Sequence, residues 1–557
     1  MAETAFEAAR QRLGMSTAEA VDHDTLLARL EQALWADPSR ELERLYQACC
    51  REAAARERAV AHRLVVVVPV ADRPRQLRHC LESLAEHQRG FAHAGGVSML
   101  VVEDSLDLAN RRAHADLVRE IAAAGLDAHY LDTAAQWALI EPLQATLPLF
   151  LGRQRAEAMG HKGASVTRNI AMLWLARQGF TRPLFHFIDS DQVFHVDPFA
   201  ARPRYLLDHA RHIDRLFRTH DIEVLTGKVV GDPPVSPAVM AGTLLQDLNG
   251  ILESALPAPG AACGFHGETA GAGHGAYHDM AALFGLDAAA QTFEYACPLD
   301  GAHTHVDTLQ ALGERLSRFF DGEHPTRVTP FSPVDVETSL SPARTVYTGN
   351  YVFNRAGLRH GIPFAALKLR MAGPTLGRLL QQELGERFVQ AALPLLHRRA
   401  EPQTGSAEYR PGVRHEGALV ELSGEYQRQF VGDLMLFGII ELVGAGYPAH
   451  LPKGDRVEAL FDNVGERLLG EYRQVREQVM ERLATFERRL DGHHRVEDRL
   501  FEPYRHFARL VRHNYAPQAA AVRALEDPAF RADWIRRLAV AVRELPAQQA
   551  RWAEIVG

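Results

Sequence analysis

The sequence predicts an α/β protein: a mostly parallel sheet in the middle of the chain, flanked by helices, with further helical regions at both ends. Leu64-Val65-Val66-Val67-Val68-Pro69-Val70 and Ser98-Met99-Leu100-Val101-Val102 are apolar runs of strand length, separated by a helix that carries Leu77, Leu81 and Leu84 on one face. Strand, helix, strand at this rhythm gives parallel strands joined by right-handed crossovers. A further run, Phe185-His186-Phe187-Ile188, stops abruptly at Asp189-Ser190-Asp191. Such a run suits a strand buried on both faces, and open α/β sheets bind ligands at the carboxyl ends of their strands.

In chain order, residues 1–58 are rich in Ala, Glu, Arg and Leu, with Leu42, Leu45, Tyr46 and Cys49 at helical spacing. They form a helical extension without visible chemistry. Residues 59–400 form the α/β domain. The strand at 64–70 leads into Asp72-Arg73-Pro74, the strand at 98–102 ends in Glu103-Asp104-Ser105, and a weaker strand covers 128–131.

Gly163-Ala164-Ser165-Val166-Thr167-Arg168-Asn169 opens a helix directly before the Asp-Ser-Asp strand. Ser165 or Thr167 there would sit beside exposed backbone N–H groups, which attract phosphate. Lys162 and Arg168 add charge that would neutralise a diphosphate; a capped helix with solvent-facing bases is the plainer alternative. Asp189 and Asp191 repel each other unless a cation lies beside them, and Mg²⁺ or Mn²⁺ bridging phosphate oxygens is the simplest partner. A solvated Asp-Ser-Asp turn is the alternative.

A strand at 223–230 leads into a long insertion at about 232–345. Its centre, AACGFHGETAGAGHGAYHDMA, places His266, His274 and His278 beside Asp279 in no recognisable metal spacing, so the glycine-rich stretch from 255 to 305 is expected to cover substrate. Beyond it come a strand around Gly349-Asn350-Tyr351, a helix started by Gly373-Pro374-Thr375, and a strand ending in His397-Arg398-Arg399. From 401 to 557 the composition turns to Arg/Glu/Leu helices, a helical region whose charged and apolar positions interleave.

The bulk numbers narrow the class. At 557 residues the chain exceeds one ordinary core. A net charge of −8 with both signs interspersed provides no field for nucleic acid. Five cysteines without zinc-type spacing suit a reducing compartment. The N-terminus lacks an apolar core of signal-peptide type, and no apolar run approaches the roughly 20 residues that span a bilayer. A cytoplasmic protein, with peripheral membrane contact left open, is the expectation.

Four pieces stand in one order: the strand ending at Pro69 with the strand ending in Glu103-Asp104, the Gly163…Arg168-Asn169 helix, Asp189-Ser190-Asp191, and the late His397. This order resembles family-2-type glycosyltransferases of the GT-A fold, a Rossmann-like arrangement, over roughly residues 63–400. The resemblance implies that Pro69, Glu103 and Asp104 hold the nucleoside of a sugar nucleotide. It also implies that Lys162, Arg168, Asn169 and Arg398 or Arg399 face its diphosphate. Asp191 and His397 would bind a divalent metal (Mn²⁺ or Mg²⁺), with Asp189 supporting the site or contacting the donor ribose. Gly349 and Asn350 would lie on the acceptor side. The implied partners are a nucleotide-diphospho-sugar donor and a small-molecule, glycan or lipid-linked acceptor; the helical regions leave room for homo-oligomers.

One departure stands out. Inverting members carry an acidic residue where this chain reads Gly373-Pro374-Thr375, so a retaining reaction is slightly favoured. A non-catalytic sugar-nucleotide-binding scaffold is the main alternative. A sugar-phosphate nucleotidyltransferase ranks lower, because Val70-Ala71-Asp72-Arg73-Pro74 lacks the glycine-rich loop of such enzymes.

Overall fold

The computed structural model describes residues 4–15, 22–57, 60–198, 202–232, 235–266, 295–398, 410–492 and 498–557. Three helices, Ala5–Arg12, His23–Ala36 and Arg40–Glu57, precede the sheet. The strands are β1 (Arg63–Val70), β2 (Val97–Glu103), β3 (Asp127–Leu131), β4 (Pro183–Ile188), β5 (Gln192–Val193), β6 (Val224–Gly231), β7 (Ser341–Pro342), β8 (Asn350–Asn354) and β9 (Phe388–His397). They form one nine-stranded sheet in the order β3-β2-β1-β4-β8-β6-β9-β5, with β7 added on β9. β1, β2, β3, β4, β6 and β9 run one way, and β5, β7 and β8 run against their neighbours. The protein is therefore α/β with a mostly parallel sheet flanked by helices.

Side-chain alternation explains why the strands are apolar throughout. Along β1, Leu64, Val66, Val68 and Val70 enter one core while Val65 and Val67 enter the other; along β2, Met99 and Val101 oppose Leu100 and Val102. With a period of two, a strand covered on both faces needs apolar residues at every position. One core is roofed by the three N-terminal helices with Pro74–Phe91 and His209–Thr219. The other holds the helix Ala164–Ala176 and the C-terminal helices.

That second core is continuous across residue 400. The helices Ser423–Gly444, Arg456–Asp491, Glu502–Tyr515, Ala520–Glu526 and Pro528–Val556 bury their apolar faces in it, packing on one another and on helices of the α/β region. Trp552 is fully buried, stacks on Phe150 at 5.1 Å, and donates its indole N–H to the Leu358 carbonyl at 2.9 Å. The long insertion begins with the helix Pro237–Ala255, which lies along Arg456–Asp491; Asn249 donates to the Arg482 carbonyl at 3.1 Å. Inside it, Arg327 grips the buried Asp247 through two hydrogen bonds of 2.8 Å. This part of the insertion is packed core. Among the described residues, no helix is long and apolar enough to cross a membrane.

Candidate functional site

The chain builds β1, β2 and β3 outward in one direction, then returns to place β4 on the other side of β1. The carboxyl ends of β1 and β4 thus flank the point where strand order reverses, which is where open α/β sheets leave a crevice. Arg73 follows β1 there, and Asp189-Ser190-Asp191 follows β4.

The Asp-Ser-Asp segment is a tight turn. Gln192 donates its backbone N–H to the Asp189 carbonyl at 3.1 Å, and its side-chain carbonyl accepts the Asp189 N–H at 2.8 Å. β5 then pairs antiparallel with the end of β9, Gln192 opposite His397, and Arg398 donates its N–H to the Asp191 carbonyl at 2.9 Å. Two segments far apart in sequence are locked together by backbone bonds.

Asp191 is where these segments converge. Its Oδ2 accepts from Arg73 Nη1 at 2.8 Å and lies 3.3 Å from His397 Nε2. His397 Nδ1 is 2.5 Å from the Asp232 backbone carbonyl. A carbonyl only accepts, so Nδ1 carries a proton and the neutral imidazole turns the Nε2 lone pair towards Asp191. A lone pair facing a carboxylate oxygen is repulsive. A second proton on His397, or a cation beside both groups, relieves it. Asp189 pairs with a different base, the buried Arg168 guanidinium. Gly349 approaches it so closely that a Cβ there would collide with the carboxylate.

A cavity of about 180 Å³ opens beside Asp191, lined also by Gln76, His79, His195, Tyr205 and Arg398. Burial, helped by the charges of Arg398 and His79, lowers the pKa of His195 to about 4, so it is neutral at pH 7. Its Nδ1 is buried without a hydrogen-bond partner among the described residues. The cavity is small against typical ligand sites of roughly 300–1,000 Å³, and Glu82 and Glu86 share its wall with Arg398.

Sequence reasoning missed Arg73 and His195. Arg73 carried a faint signal, a base at the start of the helix after β1; His195 carried its nearness to Asp191.

Several expected donor contacts are used up within the protein instead. Glu103 is fully buried; its Oε1 accepts from the Ser105 N–H at 2.6 Å, and its Oε2 from His114 at 2.8 Å and Tyr130 at 2.7 Å. Burial alone would raise its pKa, but these hydrogen bonds and the His114 charge outweigh it and bring the value to about 2. Asp104 accepts the Lys162 N–H at 2.8 Å, the Lys162 ammonium at 2.7 Å and the Gly163 N–H at 3.2 Å. A carboxylate of the protein thus already sits where a diphosphate was expected, at the start of the helix Ala164–Ala176. Lys162 is wholly buried and also donates to the carbonyls of Met159 at 2.7 Å and Glu103 at 3.2 Å. Burial lowers its pKa, with Asp104 opposing the fall.

Two amides are consumed in the same way. Asn169 donates to the Phe150 and Ile362 carbonyls at 3.0 and 2.9 Å and accepts the Ile362 N–H at 2.8 Å. Asn350, expected on the acceptor side, is completely buried in the sheet. It donates to the Lys228 and Leu393 carbonyls, both at 2.8 Å, and accepts from His186 at 2.9 Å. Pro69 pairs with Val102 near the end of β1. Arg399 lies outside the described residues, as do His274, His278 and Asp279.

The structure therefore brings together Asp189, Asp191, Arg168, His397 and Gly349, and pairs Glu103, Asp104, Lys162, Asn169 and Asn350 with partners inside the protein. Asp191 and His397 offer a carboxylate oxygen and an imidazole nitrogen whose ring partner is tethered, two donors of types that divalent ions take. No protein-family model matches the chain, and no curated protein matches it.

Proposed function

We propose that this chain is a metal-dependent glycosyltransferase that moves a sugar from a nucleotide-diphosphate donor to an acceptor hydroxyl. The observation that carries the reading is the orientation of His397: its Nδ1–H is held by the Asp232 carbonyl and its Nε2 faces Asp191 Oδ2 at 3.3 Å. The strand order, which sets Asp189 and Asp191 at the reversal point between β1 and β4, agrees with it.

Asp191 and His397 would hold Mn²⁺ or Mg²⁺, which when bound supplies a Lewis acid for the leaving diphosphate. Arg73 would swing from Asp191 to a phosphate oxygen, a short move for a long side chain already at the crevice. Arg168 fixes the Asp189 carboxylate in one orientation, and Gly349 keeps the space in front of it open. His195, neutral and lining the cavity with Arg398, offers a polar nitrogen without an added charge. Gly373-Pro374-Thr375 lies at the start of the helix Ala372–Leu384 with no carboxylate in that first turn, which keeps a retaining course slightly favoured. A cytoplasmic setting and a small-molecule, glycan or lipid-linked acceptor complete the proposal.

A second reading has its own support. Arg73 and Arg168 pair with Asp191 and Asp189 and neutralise both carboxylates without any ion. A non-catalytic sugar-nucleotide-binding protein would need no more than that.

The test is a thermal-shift screen of the purified chain against UDP, GDP, ADP and their sugars, each with and without Mn²⁺. A nucleotide at 100 times its Kd raises stability by about 2.7 kcal/mol, a readily visible shift. A rise for one nucleotide that needs Mn²⁺ and disappears in His397→Ala supports the proposal. Binding that ignores Mn²⁺, with no transfer or hydrolysis, supports the second reading. A flat response from folded protein removes both.

A further inference from the structure

The insertion contains a second constellation, unrelated to the Asp191 site. Cys263, His266, Cys297 and His303 each direct one ligand atom into a common space, all within 4.8 Å of one another. None of the four is used by the proposed reaction. The five cysteines show no zinc-type spacing in the sequence; these four side chains come in two pairs from either side of residues 267–294, which linear spacing does not reveal.

The two segments are fastened by backbone. Ala262 and Thr304 form an antiparallel bridge; Cys263 donates its N–H to the His303 carbonyl at 3.0 Å, His305 to the Ala261 carbonyl at 3.1 Å, and Cys297 to the Phe265 carbonyl at 3.0 Å. Beneath them Phe265 meets the rings of Tyr295 and His305 edge-on at 5.5 and 5.2 Å. The four side chains therefore project from a fixed frame.

Their spacing and tautomer fit a tetrahedral ion. His303 Nδ1 lies 2.9 Å from the Gly301 carbonyl, which fixes its proton there and leaves Nε2 as a lone-pair donor. That Nε2 stands 3.2 Å from His266 Nε2 and 3.3 Å from Cys297 Sγ. A tetrahedral zinc with Zn–N of about 2.0–2.1 Å and Zn–S of about 2.3 Å separates its ligands by roughly 3.3 Å for two nitrogens and 3.6 Å for nitrogen and sulfur. The Thr308 hydroxyl lies 3.1 Å from Cys263 Sγ and 3.5 Å from Cys297 Sγ, placed to support thiolate sulfur from behind.

We infer that Cys263, His266, Cys297 and His303 form a structural zinc site that clamps the two ends of the 267–294 segment together. Two thiolates and two imidazoles select Zn²⁺ over the oxygen-seeking Mg²⁺ or Mn²⁺, and four protein ligands leave no position for substrate. The site is chemically distinct from Asp191 and His397 and stands whether or not the transferase reading does.

The experiment uses the full chain, purified under reducing conditions. Elemental analysis is expected to find one zinc per chain. After zinc removal, Co²⁺ is expected to restore intense visible d–d bands and a thiolate-to-cobalt charge-transfer band at one equivalent. Cys263→Ser and Cys297→Ser should each weaken Co²⁺ binding by more than about 100-fold, beyond the 10–100-fold typical of an outer partner. His266 is exposed, so His266→Ala keeps the fold by circular dichroism while shifting the d–d bands. Asp191→Ala should retain its zinc. Absence of zinc together with silence towards Co²⁺ in reduced protein overturns the inference. So does zinc that persists in the Cys263→Ser/Cys297→Ser double variant, or a Cys263–Cys297 disulfide found by mass spectrometry in place of metal.

Discussion

Gly349 and Asp189 meet so closely that a Cβ built on the glycine would overlap the carboxylate, reaching 3.0 Å even from its Cγ and from Cε1 of Tyr347. The glycine backbone is not strained; only space is short. Gly349→Ala should therefore push Asp189 off Arg168. The expected cost is about 1–3 kcal/mol of stability, as for other overpacked sites, with a loss of donor binding of tenfold or more. Urea denaturation and calorimetric titration of the nucleotide identified by the thermal screen would measure the two effects separately.

His397→Gln should abolish Mn²⁺-dependent stabilisation by nucleotide while leaving the sheet intact, because His397 ends β9 rather than filling its middle. Asp191→Asn should do the same and also release Arg73 from its 2.8 Å pair. A Mn²⁺ response equal to that of the unaltered chain in both variants would refute the metal assignment.

Asn350→Ala separates a positioning role from an acceptor contact. Removing the amide leaves two carbonyls and the His186 imidazole without their partner inside the sheet. Each buried unsatisfied group costs about 1–3 kcal/mol, so a total loss of roughly 3 kcal/mol or more is expected in urea. KM for acceptor should hold steady in whatever protein remains folded. A stable variant with a raised KM would instead return Asn350 to the acceptor side.

Stability should fall in acid through Glu103. Its folded pKa of about 2 lies below the ordinary value of 4.5. The carboxylate therefore stabilises the fold fully above about pH 4.5, and that contribution is lost as pH falls from there towards 2. The amount is on the order of 3 kcal/mol. Denaturation midpoints from pH 6 to pH 2.5 would trace the loss, and Glu103→Gln should flatten that part of the curve.

Trp552→Ala should cost about 3–5 kcal/mol, the usual range for deleting a fully buried large aromatic. It loses the stack on Phe150 and the bond to Leu358. Phe150 also accepts from Asn169, next to Arg168 on the same helix, so the change should weaken nucleotide binding as well. Thermal melting with and without nucleotide would reveal both.

Much of the fold was legible because the strands are short, apolar and set apart by helices of strong period. β1, β2, β4 and β9 declare themselves by composition alone. The direction of β8 did not, since three apolar residues between two asparagines read the same either way. β5 is two residues long, yet its pairing with β9 brings His397 to Asp191; no local pattern announces so short a strand. Glu103, Asp104 and Lys162 looked available to a ligand because residue type gives charge but not neighbours. Only the folded chain places Lys162 against Asp104, and His114 with Tyr130 against Glu103. The Cys263 and Cys297 pairing was hidden for a related reason: proximity there is made by strand-like bonding between segments on either side of a long stretch.

The sorting of side chains between two cores also sets an order in time. The core roofed by the N-terminal helices draws on residues no later than Leu396, whereas the other needs partners as late as Trp552 and Val556. At roughly 5–20 residues per second, a ribosome that has passed His397 takes on the order of ten seconds or more to deliver Trp552. During that interval one side of the nascent sheet has its roof, while on the other Phe150 waits for Trp552 and the helix Ala164–Ala176 waits for its cover by Pro528–Val556. Chaperone capture of this chain should therefore peak late in its synthesis, after the Asp191 turn has left the exit tunnel.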